Sequence, residues 1–141
     1  MSYCIQDTIG FNLFVAQIRL KAGLGRAMRP YEITPEQFAI LSLLHGQDGL
    51  LQREIADLLI KDRPNITRIL ERLENKGMIR RRTDREDRRA VRVHITATGR
   101  KICPKLEQIA TEYRRQAYSG LSHAQQQQLK AMLHQISENL K

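Results

Sequence analysis

The chain has 141 residues, and its 24 lysine and arginine residues against 15 aspartate and glutamate residues give a formal net charge of +9 at pH 7. The 41% hydrophobic and 28% charged residues are typical of one soluble globular domain. No apolar run approaches the roughly 20 residues of a membrane helix, and the N-terminus lacks the pattern of a secretory signal. We therefore expect a cytoplasmic protein without a membrane partner.

The first predicted element is a helix over 7–28, closed by Pro30. Its apolar side chains recur near helical spacing: Phe11, Phe14, Val15, Ile18 and Leu24. Thr34, followed by Pro35 and by Gln37 at the capping-box position, predicts the start of a second helix. The glycines of 46–49 predict its end.

Two short helices follow, over 52–59 and 63–76. Gln52 is a mediocre cap for the first, whereas Asp62 is a good cap for the second, and Gly77 is typical of a helix C-terminus. Apolar residues recur at i, i+3, i+4 and i+7 along the second helix: Ile66, Ile69, Leu70 and Leu73. This helix is therefore expected to bury one face and expose the other.

The periodicity then changes to that of strands over 78–82 and 91–95, joined by the polar tip 83–90. Thr96 can cap a long helix over 97–119, whose first turns Pro104 should kink or offset, and Gly120 ends it. Ser122 and Gln125 form a second capping-box pattern and predict a last helix reaching about residue 140.

Two short helices, a tight turn and a hairpin in this order predict a winged helix-turn-helix, in a mainly α (α+β) fold. We expect a single domain over 1–141, with the DNA-binding part at 34–98. The helices of 1–30 and 99–141 carry apolar stripes remote from that part, and we expect them to form a homodimer. The alternative is that those stripes pack only within one subunit.

The segment 61–92 concentrates the charge, with twelve basic and six acidic residues. A charge run is often only a solvated face, but here it coincides with the helix pair and the hairpin, which points to duplex DNA as the partner. The expected DNA-binding residues are Arg63, Pro64, Asn65, Thr67, Arg68 and Arg72 on the second short helix, and Arg85, Arg88 and Arg89 in the hairpin tip. Asn and Arg can pair with purine edges in the major groove, and arginine is drawn into a narrow minor groove.

Neighbouring side chains are expected to support these contacts. Asp84 and Asp87 should pair with nearby arginines and fix their direction, and at least one of Arg80, Arg81 and Arg82 should support the fold. Asn65 could alternatively serve only helix capping. We find no pattern typical of a catalytic site, a metal site or a cofactor site, so we expect no enzyme activity, no metal and no cofactor. A winged helix that binds protein instead of DNA is the alternative function.

Three segments of the chain resemble the MarR family of bacterial transcription regulators. They run from Leu51 to Leu59, from Asp62 to Arg82, and from Asp84 through the Asp-Arg-Arg of the wing to the Thr-x-x-Gly that ends at Gly99. The resemblance places the family's wing arginine at Arg89, with Arg88 beside it and Asp87 as the orienting acid. It implies an obligate homodimer, triangular in outline, on a palindromic operator.

The resemblance also implies repression that is relieved by a small phenolic or other aromatic effector, or by cysteine oxidation. An effector pocket would lie between the first, second and fifth helices. Members of the family that sense oxidation carry a cysteine where this chain has Gly10 and Phe11. Cys4 and Cys103 lie elsewhere, and we expect both to be ordinary thiols.

Overall fold

The computed structural model describes residues 2–141, which form six α-helices and a small antiparallel sheet. The helices are α1 (Ile9–Met28), α2 (Pro35–Gly46), α3 (Gln52–Leu59), α4 (Arg63–Asn75), α5 (Ala97–Ala117) and α6 (His123–Asn139). The strands are β1 (Leu50–Leu51), β2 (Ile79–Thr83) and β3 (Val91–Ile95). Single 3-10 turns at Ile5–Asp7 and Arg29–Tyr31 precede and follow α1.

Side-chain caps set most helix starts, as the sequence indicates. The capping boxes of Thr34 with Gln37 and of Ser122 with Gln125 are both complete, and the Asp62 carboxylate accepts the Asn65 backbone N–H at 2.8 Å. These contacts satisfy amide groups that the first turn of a helix otherwise leaves unpaired. The predicted helices over 34–46, 63–76 and 122–140 are thereby confirmed to within a residue or two.

The structure corrects several predicted boundaries. Helix α1 begins at Ile9, because Thr8 accepts the Phe11 N–H and caps it. Leu51, not Gln52, is the N-cap residue of α3. The Glu54 carboxylate accepts the Leu51 backbone N–H at 3.0 Å and closes the first turn. Helix α5 ends at Ala117 and contains Pro104 within a continuous helix.

The sheet contains a strand that the sequence did not indicate. The strand order is β1-β3-β2, with Leu50 opposite Val93 and Ile79 opposite Ile95. Two residues are too few to show an alternating pattern, so β1 could not be read from the sequence. It joins the hairpin to the start of α3 and so attaches the base of the wing to the helix pair.

Helix α4 is anchored by its apolar face. Ile66, Leu70 and Leu73 have no exposed surface and belong to one core with α2 and α5. Burying each such side chain contributes roughly 1.5–3 kcal/mol. The opposite face of α4 is therefore held at the surface in a fixed orientation.

Helices α1 and α6 each leave more than one large apolar side chain uncovered. On α1, Ile9, Phe14 and Ile18 are 68%, 63% and 52% exposed, and α6 contains no buried residue. These exposed apolar side chains make α1 and α6 candidates for an interaction surface.

Candidate nucleic-acid interface

The turn between α3 and α4 is unusually sharp. Ile60 ends α3 with φ = 51°, in the left-handed region that a β-branched residue rarely adopts, and its side chain is 92% exposed. The next residue, Lys61, donates its N–H to the Ala56 carbonyl at 3.0 Å. The tight reversal brings the N-terminus of α4 to the surface directly beside α3.

The exposed side of α4 carries the side chains that the sequence assigns to DNA. Arg63, Pro64, Arg68 and Arg72 are exposed, whereas Asn65 and Thr67 are half-buried. Asn65 supplies its backbone N–H to the Asp62 cap, and no hydrogen bond engages its side-chain amide within residues 2–141. The amide of Asn65 and the guanidinium of Arg68 therefore remain available to an external partner.

Thr67 has a bracing role that the sequence did not reveal. Its hydroxyl donates to the Arg63 carbonyl at 2.9 Å and accepts the Gln52 side-chain N–H at 2.7 Å. The hydrogen bond from Gln52 to Thr67 connects α3 to α4. Because the Thr67 hydroxyl is engaged, only its methyl group is available to contact an external partner. The Gln52 carbonyl oxygen is buried and lacks a hydrogen-bond partner in the described part of the chain.

The tip of the wing is closed by Asp84. Its backbone N–H donates to the Ala90 carbonyl at 3.0 Å, and its carboxylate accepts the Asp87 N–H at 3.1 Å and the Arg92 Nε–H at 2.9 Å. The hydrogen bond from Arg92 is the main reason that the pKa of Asp84 lies below its ordinary value. Asp84 thus pairs with Arg92 of β3 and fixes the shape of the loop that carries the exposed arginines of the wing tip.

Asp87 contacts Arg89 directly. Its carboxylate accepts the Arg89 backbone N–H at 3.0 Å and lies 3.5 Å from the Arg89 Nε, while the Arg89 side chain is 95% exposed. The second carboxylate oxygen of Asp87 lies 3.8 Å from Arg53 Nη1 on α3. Asp87 therefore lies between the wing and α3 and restricts the direction of Arg89.

The base of the hairpin is fixed to α4 by Arg81. Its guanidinium donates two hydrogen bonds to Glu74 Oε1, at 3.2 and 2.9 Å, and its backbone N–H donates to Oε2 at 3.0 Å. These bonds hold the pKa of Glu74 below its ordinary value, so the carboxylate is ionised at neutral pH and the pair weakens only as the pH falls through that lowered pKa. The expectation that one of the three consecutive arginines supports the fold is confirmed by Arg81.

Helix and wing meet at a cleft of about 380 Å³. Arg63 from α4, Arg53 from α3 and Arg89 from the wing all line it, together with Gln52 and Asp87. Three guanidinium groups around one concave surface produce a positive potential that a polyanion can neutralise. Arg53 was not predicted from the sequence, because its position next to Asp87 depends on a contact between α3 and the wing, which are distant along the chain.

The remaining assigned arginines are all at the surface. Arg85 and Arg88 are exposed at the wing tip and make no ion pair or side-chain hydrogen bond within the described residues. Arg72 is exposed on α4, more than two turns beyond Arg63. No helix of the described chain is both long enough and apolar enough to cross a membrane.

The helix pair, the three-stranded sheet and the basic hairpin define a winged helix-turn-helix protein. A model of the MarR family matches residues 33–91. The uncharacterized HTH-type transcriptional regulator YkoM of Bacillus subtilis is 31% identical over 108 residues, which cover 77% of this chain and 70% of YkoM.

Solved structures extend this similarity over nearly the whole chain. A probable transcriptional regulator from Pseudomonas aeruginosa is 30% identical, with a TM-score of 0.86 over 94% of this chain and 99% of its own. MepR of S. aureus, solved as a complex with DNA, is 28% identical, with a TM-score of 0.84 over 94% of this chain and 98% of its own. The chain belongs to the MarR family and is a DNA-binding transcriptional regulator.

Proposed function

We propose that the protein represses transcription as a homodimer bound to a palindromic operator, and that a small aromatic effector releases it. The observation that carries the DNA-binding mode is the convergence of Arg63 and Arg89 on one cleft. A helix and a basic hairpin that share a surface can occupy a major groove and the adjoining minor groove at once. MepR of S. aureus, a relative solved as a complex with DNA, supports DNA as the partner.

The exposed residues divide by chemistry. Asn65 and Arg68 read base edges, because both can form paired hydrogen bonds with purines. Arg72, Arg85 and Arg88 contact phosphates, and Arg89 enters the minor groove. Thr67 contributes a methyl contact, since its hydroxyl is engaged by Gln52 and by the Arg63 carbonyl.

The uncovered apolar surface supports the homodimer. One α4 reads only a half-site, and two-fold symmetry would place the second α4 one DNA turn away, roughly 34–36 Å. The exposed side chains of α1 and α6, among them Phe14 at 63% and Met132 at 58%, offer the surface that a second copy would bury. The terminal segments 1–30 and 99–141 therefore form the dimerisation region in this proposal, and 34–98 binds the DNA.

Replacing Arg68 by alanine tests the reading of bases. An operator is first obtained by selection from random duplexes with the wild-type protein. We expect Arg68→Ala to bind this operator more weakly by roughly 1–3 kcal/mol, while its affinity for scrambled DNA changes little, because a base contact discriminates between sequences. Fluorescence anisotropy titrations at one fixed salt concentration measure both affinities.

Lys105→Ala serves as the matched control, since Lys105 is an exposed cation on α5 away from the cleft. It should alter neither affinity beyond a small general effect of charge. An equal loss of affinity for operator and scrambled DNA in Arg68→Ala would make Arg68 a phosphate contact. Failure of the selection to enrich any sequence would contradict sequence-specific binding itself.

A second cavity supports the effector. It measures about 350 Å³, lies between α1, α2 and α5, and is bordered at the helix-turn-helix by Leu59 and Lys61. Tyr113 and Tyr118 provide aromatic surface, and Arg114 provides a cation for a carboxylate or phenolate. An anionic aromatic compound bound here would contact Leu59 and Lys61, which precede α4, and would thereby displace the N-terminus of α4.

Cysteine oxidation is not favoured as the switch. Cys103 is buried, and burial raises the pKa of its thiol, with a further contribution from Glu107. A higher pKa lowers the thiolate fraction and hence the reactivity. Cys4 is exposed and precedes α1. It does not line the cavity, because the first residue of α1 that does so is Gln17.

Arg114→Gln tests the effector pocket. A panel of hydroxybenzoates is titrated against the protein–operator complex, and we expect at least one to release the DNA. Loss of a charge-assisted hydrogen bond should weaken that compound about 10-fold in Arg114→Gln, as measured by calorimetry. Operator affinity without the compound should stay unchanged; release that is equally effective in both proteins would contradict the assignment of this cavity.

A further inference from the structure

The outward face of the wing sheet concentrates basic side chains. In the antiparallel register of β2 and β3, Arg80 lies opposite His94 and Arg82 lies opposite Arg92. Side chains of directly paired residues project from the same face of a sheet, so all four lie together. The other face of β2 carries the buried Ile79 and the structural Arg81.

Two of these four side chains have protein partners and two do not. Arg92 is engaged by the Asp84 carboxylate and the Gly49 carbonyl, and His94 lies 3.3 Å from Asp48. Arg80 and Arg82 are exposed, and neither makes a side-chain hydrogen bond or an ion pair within residues 2–141. Like charges directly opposite each other on a sheet are destabilising, so the unpaired Arg82 opposite Arg92 favours an external anion.

The same face forms a groove that suits a phosphate. Arg80, Arg82 and His94 line a shallow groove of about 400 Å³ that ends at Thr96 and Ala97, where α5 begins. The N-terminus of this 21-residue helix adds a positive field to that of the arginines. Arg80 and Arg82 are two strand positions apart, about 6.6 Å, so they can contact separate phosphates.

We propose that this face, Arg80 with Arg82, binds the phosphates of operator DNA that flanks the half-site read by α4 and the wing tip. The inference rests on the proposed function, because it extends the same DNA interface. The face belongs to the same hairpin as Arg85, Arg88 and Arg89, so DNA whose minor groove receives the tip passes next to it. The contact is with the backbone and adds affinity without adding sequence preference.

The test compares two duplexes, one trimmed to the selected palindrome and one extended by about one helical turn of arbitrary sequence on each side. Wild-type protein should bind the extended duplex more tightly and with a steeper dependence on salt. Arg80→Gln combined with Arg82→Gln should remove this advantage, and the slope of log K against log salt should fall by about 0.9 for each phosphate that the variant no longer neutralises. Binding to the trimmed duplex should be nearly unchanged.

Two further variants control the experiment. Lys105→Gln with Lys130→Gln removes the same formal charge from exposed positions on α5 and α6 and should retain the advantage of the extended duplex. Arg80→Lys with Arg82→Lys keeps the charge and should restore most of it. Circular dichroism establishes that each variant is folded.

The outcomes separate this inference from the proposed function. If the glutamine variant keeps the full advantage of the extended duplex, or loses affinity equally for both duplexes, the flanking contact is refuted while operator binding stands. The flanking contact is also refuted if wild-type protein binds a poly-glutamate peptide, the glutamine variant does not, and both still prefer the extended duplex. That result would assign the face to an acidic protein partner. If wild-type protein binds neither duplex specifically, the proposed function fails as well.

Discussion

Replacing Arg89 by alanine is expected to weaken operator binding by roughly 1–3 kcal/mol, about 5- to 160-fold, while the protein stays folded. The Arg89 side chain at the cleft is 95% exposed, and Asp87 restricts its direction through the backbone N–H and Nε. A pre-directed arginine loses less conformational freedom when it enters a groove. Anisotropy titrations at fixed salt measure the affinity, and thermal unfolding measures the stability.

A second variant, Asp87→Ala, sharpens the result. Asp87→Ala leaves Arg89 in place but removes the carboxylate that directs it, so a smaller loss of affinity is expected even though a negative charge has been removed. A simple charge effect would instead increase the affinity of Asp87→Ala for DNA. Unchanged operator binding in Arg89→Ala would remove the wing from the interface and leave α4 as the only reading element.

Replacing Gly99 by alanine is expected to destabilise the protein by roughly 1–3 kcal/mol or more, the usual cost of overpacking. A Cβ at this position would lie 2.3 Å from the Met78 carbonyl oxygen and 2.8 Å from Ile95 Cγ1. That carbonyl already accepts the Thr96 N–H at 3.0 Å, so it cannot move without breaking the junction of β3 with α5. Chemical denaturation monitored by circular dichroism measures the change in the free energy of unfolding.

Gly46→Ala provides the matched control. Gly46 is the last residue of α2, and a Cβ there would meet nothing within 4 Å. Because alanine is a better helix former than glycine, this variant should be neutral or slightly more stable. Equal stability of Gly99→Ala and wild type would show that the close approach of α5 to Met78 does not constrain the fold.

The sequence predicted the elements whose signals are local. Capping residues such as Thr34, Asp62 and Ser122 mark helix starts because their side chains bond amides only three residues away. Gly77, with φ = 73°, ends α4 as its position in the sequence indicates. The apolar periodicity of α4 likewise predicted its buried face, since that pattern depends on helix geometry alone.

The elements that escaped prediction depend on contacts distant in sequence. Strand β1 exists because Leu50 and Leu51 pair with Val93 and Arg92 of β3, far along the chain. The Thr-x-x-Gly motif could be recognised in the sequence, but the contacts that require these two residues could not. The Thr96 hydroxyl accepts the Gly99 N–H and donates to the Gly77 carbonyl. Gly99 lies against the backbone of Met78. Such close approaches have no signature in composition or spacing.

The candidate site divides in the same way. The exposed arginines of α4 and the wing were predictable, because charge without apolar periodicity indicates surface. The engagement of the Thr67 hydroxyl by Gln52, and the position of Arg53 beside Asp87, required the packing of α3 against α4 and the wing. The roles of all these residues toward DNA remain predictions for the experiments above.

The central claim is that α4 and the wing dock together on neighbouring grooves, and site-directed DNA cleavage tests it most directly. Glu71→Cys on α4 and Glu86→Cys at the wing tip, each in a Cys4→Ser background, place an iron chelate at exposed positions outside the assigned contacts. We expect cuts from position 71 around a major groove and cuts from position 86 in the adjoining minor groove. The two sets should lie about half a turn apart, near 5 base pairs, and repeat with two-fold symmetry. Cuts from position 86 that are absent, or that fall in the same groove as those from position 71, would contradict the account.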